Sequence, residues 1–188
     1  ELTVTQFFEQ TGWEKIWNFP RELYLPLFQF ARINRIPIVA LNVERALTEA
    51  IANQGWDAVP AAQQEGVSRP APASNAYRDF LFDVFKAHPR RRPSETATPD
   101  KDDKTFRFFV ESQTTWDRAM AEALARRLDA GPGALRPLVV GIMGSGHVRN
   151  GHGVPHQLRD LGVGNIAELL PVDTRQDCES IRKGFADG

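Results

Sequence analysis

Two short apolar runs rich in β-branched residues, Ile36 to Leu41 and Leu138 to Met143, stand between segments of helical periodicity and constrain the fold most. Before the first run, Leu23, Tyr24, Leu27, Phe28 and Ala31 recur at helical spacing, with Pro20 near the start and Pro26 imposing a late start or a kink. After it, Val43, Ala46, Leu47, Ala50 and Ile51 share a helical face that Asn42 can cap and Gly55 stops. A continuously apolar strand between two helices is the pattern of a parallel sheet covered on both faces. The sequence therefore predicts an α/β fold, a three-layer and mostly parallel sheet. Ile166 to Val172 reads as a third strand and Thr174 to Phe185 as a last helix.

The middle of the chain carries no strand signal. Beyond Trp56 come Pro60, Pro70 and Pro72, and then Ser74 can cap a helix whose apolar face is Tyr77, Phe80, Leu81, Val84 and Phe85. Arg90 to Lys104 is polar and charged and reads as a loop. A long helix from about 103 to 129 follows, carrying Phe106, Phe109, Val110, Trp116, Met120, Leu124 and Leu128. The expected organisation is an α/β domain built from residues 1–56 and 113–188, interrupted by a small all-helical subdomain over 57–112. At the start, Phe7, Phe8, Trp13 and Trp17 among polar residues predict short amphipathic helical turns.

Composition narrows the function classes. With 188 residues, 41% of them apolar, the chain is long enough to bury a full core. Its 23 basic and 24 acidic residues are interspersed, so no single-sign field points to nucleic acid or an anionic membrane. The lone Cys178 excludes an internal disulfide framework and a multi-thiolate metal cage. No apolar run reaches the roughly 20 residues of a spanning helix.

Chemistry concentrates after the second run, in Gly144-Ser145-Gly146-His147 and the two further histidines His152 and His156. In open α/β sheets ligands gather beyond the carboxyl ends of strands, where this segment would lie. His147 offers a neutral nitrogen or a proton donor near neutral pH. His152 and His156, four residues apart, suit a shared metal, but no nearby carboxylate or thiol completes a ligand set. The glycines match neither the dinucleotide fingerprint nor the phosphate loop. Ser145 lacks the Gly-x-Ser-x-Gly spacing of a nucleophile elbow, since Met143 and Gly144 precede it.

Three segments in order carry a resemblance. They are Tyr24-Leu25-Pro26-Leu27 leading to Ile36-Pro37-Ile38-Val39-Ala40-Leu41-Asn42-Val43; Gln113-Thr114-Thr115-Trp116-Asp117-Arg118-Ala119-Met120-Ala121; and Gly144-Ser145-Gly146-His147-Val148 followed by Gly153-Val154-Pro155. Together they resemble the ChaN-like haem-binding lipoproteins, a branch of the Tiki/TraB-like superfamily.

The resemblance implies a non-catalytic haem-binding protein of bacterial iron and haem uptake. It implies a homodimer in the cell envelope, in the periplasm or at the outer membrane, touching the membrane only through a lipid anchor outside this chain. Haem would lie between the helical subdomain and the His147 loop, its iron taken by a tyrosine and its propionates by polar side chains. Tyr24 and Tyr77 are the chain's two tyrosines; His147 matches the family histidine, and Arg149 and His152 stand beside it as further haem-site candidates. Family members usually carry a Gly-Glu-x-His segment upstream, and this chain is expected to follow it. The alternative is a metal-dependent, peptidase-like hydrolase of the wider superfamily, with a divalent metal on His147.

Overall fold

The computed structural model describes residues 2–17, 19–87, 100–128 and 135–171. These fall into two compact units, one ending at Ala40 and one beginning at Leu41.

The first unit is an aromatic cluster on three short helices, α1 (Val4–Gln10), α2 (Trp13–Ile16) and α3 (Leu25–Ile33). Thr3 opens α1 with a capping box: its hydroxyl accepts from the Gln6 amide at 3.2 Å while the Gln6 side chain accepts from the Thr3 amide at 2.9 Å. Phe8 is buried, with Phe7, Trp13 and Phe28 meeting it edge-on at 5.2–6.0 Å between ring centres. Pro26 lies in the first turn of α3, where its missing amide proton costs no helical bond, so the helix starts late rather than kinking.

The second unit is organised on α6 (Lys104–Leu128), a helix of 25 residues. Against it pack α4 (Arg45–Gln54), α5 (Asn75–Ala87) and α7 (Val154–Asp160). The α4 side is closed by Leu47, Ile51, Trp56, Val59, Val67 and Ala119. On the α5 side Tyr77 and Leu81 meet Phe106 and Val110; Phe106 is fully buried, which stabilises by about 1.5–3 kcal/mol. On the α7 side Val154 and Leu158 meet Met120, Ala121 and Leu124. Ser74 caps α5, its hydroxyl accepting from the Tyr77 amide at 3.2 Å. Pro155 sits in the first turn of α7.

The expected sheet is not formed. Among the described residues there is no strand: residues 36–41, 138–143 and 166–171 take no regular secondary structure and carry no ladder of hydrogen bonds. The α/β, three-layer assignment is therefore corrected, for the described residues, to helices joined by irregular connections. The second run shows why the reading failed. Val139 and Met143 pack against the α6–α7 core, and Gly141 faces Leu124, whereas Leu138, Val140 and Ile142 are 91%, 72% and 54% exposed. The alternation is that of a strand, but a strand also needs a neighbour to meet its backbone N–H and C=O groups, and apolar periodicity does not supply one. Val172 and the expected helix 174–185 lie outside the described residues, as does most of the loop 90–104.

A polar staple ties α7 and the 68–71 segment to α6. Arg118, 7% exposed, donates from Nε to Ser68 Oγ at 2.9 Å and to Glu122 Oε1 at 3.0 Å, and from Nη1 to Asp160 Oδ2 at 2.5 Å. Gln157 grips the backbone of Ala71 at both polar atoms, accepting from its amide and donating to its carbonyl, each at 2.9 Å. Burial pushes the Glu122 carboxyl up, but hydrogen bonds from Ser68 and Arg118 outweigh it and hold the group below the usual range. A carboxyl depressed in the folded state stabilises above its unfolded value, about 4.3, and that contribution disappears as pH falls through the folded value. Urea unfolding between about pH 6 and about pH 3 is expected to show this protein losing stability faster than Glu122→Gln. Parallel curves would refute the assignment.

Candidate functional site

Asp117 lies midway along α6 and is fully buried. The preceding threonines turn their hydroxyls back onto their own helix, Thr114 to the Val110 carbonyl at 3.0 Å and Thr115 to that of Glu111 at 2.7 Å. Asp117 instead reaches across two elements. Its Oδ2 accepts from the Tyr77 hydroxyl of α5 at 2.7 Å, and its Oδ1 faces Nδ1 of His147 at 2.6 Å. A carboxylate only accepts, so Nδ1 is the protonated, donating nitrogen.

His147 ends a single 3₁₀ turn, Ser145–His147, and a second, Arg149–Gly151, follows directly. Asn150 and Gly151 both take left-handed backbone conformations, folding the segment back on itself. Glu168 secures the fold-back by accepting from the Gly151 amide at 3.0 Å, and Arg159 donates to the Gly151 carbonyl at 3.2 Å. Gly153 then passes so close that a side chain would collide: a Cβ there would lie 2.5 Å from the His147 carbonyl oxygen and 3.0 Å from Asp117 Oδ1.

Aromatic rings wall the group. Trp116 meets the His147 ring edge-on at 4.9 Å, its indole N–H anchored on Asn42 Oδ1 at 2.8 Å. His152 stacks on Tyr77 at 5.2 Å. Burial lowers the pKa of His152, and the nearby His156 lowers it further, which favours the neutral ring. His156 meets the carbonyl of Pro72 through Nε2 at 3.0 Å. Burial, followed by the charge and hydrogen bond of Asp117, pushes the Tyr77 phenol far above its ordinary value. Tyr77 is thus a neutral donor.

The structure therefore brings Tyr77 and His147 onto one carboxylate, with His152 stacked on Tyr77. Arg149 is half-buried in the turn that follows His147. Tyr24 belongs to the first unit, half-buried, with Trp13 and Trp17 edge-on at 5.2 and 5.8 Å. Among the described residues no group of three or more His, Cys, Asp or Glu side chains is placed to hold a metal ion. Nor, among them, is any helix long and apolar enough to cross a membrane.

The family model described as haem-binding uptake, Tiki superfamily, ChaN, matches residues 1–158. The chain belongs to this family. No curated protein and no solved structure matches it. Membership in the ChaN family carries a haem-binding role in uptake, and the matched range contains Tyr24, Tyr77, Asp117, His147, Arg149 and His152. Sequence reasoning missed Asp117 as a site residue although it stands in one of the three recognised segments. A signal was present: Val110, Asp117, Ala121 and Leu124 fall at intervals of seven, four and three, so periodicity assigns this acid to the buried face. Buried acids are paired, so a partner was to be expected.

Proposed function

We propose that the protein is a non-catalytic haem carrier of bacterial haem and iron uptake, with haem lying between the helices that carry Tyr77 and Trp116 and the His147 loop. The observation that carries this reading is the Asp117-centred group. It presents an imidazole, 16% exposed, against the Trp116 ring, with the Arg149 guanidinium following in the next turn. These residue types suit haem: aromatic rings for the porphyrin faces, and imidazole and guanidinium for the propionates.

Ferric iron favours a hard phenolate oxygen. Tyr77 is poorly suited, its hydroxyl engaged on Asp117 and its pKa raised. Tyr24, whose hydroxyl makes no hydrogen bond among the described residues, takes that role in this reading. The family resemblance further supports a homodimer in the cell envelope, one subunit supplying the tyrosine and the other the propionate partners, with membrane attachment through a lipid anchor outside this chain.

Titration with hemin is expected to shift and sharpen the Soret band. Tyr24→Phe should abolish the phenolate-to-iron charge-transfer band, and His147→Ala should weaken affinity about 10- to 100-fold, the worth of one charge-assisted hydrogen bond. A Soret band identical to that of hemin in buffer would refute the proposal.

A further inference from the structure

We infer that Asp117 is a positioning residue, acting through His147 to aim the Nε2 edge of the imidazole at a haem propionate; this rests on the haem reading above. The geometry separates the two ring nitrogens. Nδ1 is held at 2.6 Å by a fully buried carboxylate, whereas Nε2 makes no hydrogen bond among the described residues. Trp116 fixes the ring from its side at 4.9 Å. The carboxylate is itself fixed, since its other oxygen accepts from the Tyr77 hydroxyl at 2.7 Å. It cannot swing away from the imidazole without breaking that bond.

The arrangement also decides what His147 can present. A neutral ring protonated at Nε2 would turn a bare Nδ1 lone pair toward the carboxylate at contact distance, which is repulsive. A ring donating to a propionate from Nε2 must therefore donate from both nitrogens, one to Asp117 and the other to the ligand, and Asp117 supplies the buried counter-charge for it. A carboxylate behind a metal-ligating histidine typically changes affinity 10- to 100-fold when it is replaced, and the same orientation and charge act on a histidine that faces an anionic ligand.

The test uses the full chain, unaltered and as Asp117→Asn, His147→Ala and the double variant, titrated with hemin and with hemin dimethyl ester, whose propionates are blocked. Asp117→Asn keeps shape and a hydrogen-bond acceptor but removes the charge. It is expected to weaken hemin about ten-fold, to leave ester affinity unchanged, and to add nothing once His147 is alanine. Unchanged hemin affinity in Asp117→Asn, equal losses for hemin and its ester, or additive losses in the double variant would overturn the inference. Nitrogen-15 NMR of the ligand-free protein gives a readout independent of haem. Protonation at Nδ1 is expected, and a neutral His147 protonated at Nε2 would overturn the assignment even if Asp117→Asn fails to fold. Failure of the unaltered chain to bind hemin would instead overturn the haem reading on which the inference rests.

Discussion

Asp117→Ala is expected to lower folding stability by about 2–5 kcal/mol, because it leaves two donors, the Tyr77 hydroxyl and the His147 Nδ1–H, facing a cavity. Each buried donor left without a partner costs about 1–3 kcal/mol. Tyr77 is 2% exposed and the His147 side chain 16% exposed, so water does not readily replace the lost acceptor. Tyr77→Phe leaves Asp117 Oδ2 without its donor while Oδ1 keeps His147, and should cost about 1–3 kcal/mol. In the Asp117→Ala background the same change should cost less, since the orphaned hydroxyl goes with it. Urea unfolding of the four proteins measures these values directly. An Asp117→Ala protein within about 0.5 kcal/mol of the original would mean that the carboxylate is not held as described.

Gly153→Ala is expected to be comparably severe. Gly153 has φ +59° and ψ −118°, a combination that side chains strongly disfavour, and the added Cβ would meet the backbone carbonyl of His147 at 2.5 Å. Strain of this kind costs about 1–3 kcal/mol, and the backbone collision adds to it because no flexible side chain can yield, for an expected loss of about 2–4 kcal/mol. For a chain of this size that corresponds to roughly 5–15 °C in melting temperature. Gly66 provides the control: it also has positive φ, but nothing lies within 4 Å of a Cβ built there. Gly66→Ala should cost about 1 kcal/mol. Equal melting temperatures for the two variants would remove the collision from the account.

The helices were legible because their information is local. Leu47 and Ile51 on one face of α4, and Ser74 before α5, each announce themselves within a turn or two of chain. Residues 138–143 read as a strand buried on both faces, whereas Leu138, Val140 and Ile142 are exposed and only Val139 and Met143 pack against the α6–α7 core. Pairing was not legible, because a strand's partner lies elsewhere and apolar spacing does not specify it. At the site, the Gly144 to His147 segment was found by its residue types, while Asp117 was not, being a single acid inside a helix. Its meaning resides in Tyr77, 40 positions before it, and His147, 30 positions after it.

Asp117 and Arg118 are neighbours on α6 and so point about 100° apart around its axis. One anchors the imidazole and the other the Arg118–Asp160 staple, so a single rod indexes both. Inserting or deleting one residue between Phe106 and Asp117 would turn both by the same angle, taking Asp117 from Tyr77 and Arg118 from Ser68, which reach α6 from earlier in the chain. Length change in this helix is thereby closed to gradual evolution: drift in sequence can pass through α6 one side chain at a time, but drift in length cannot.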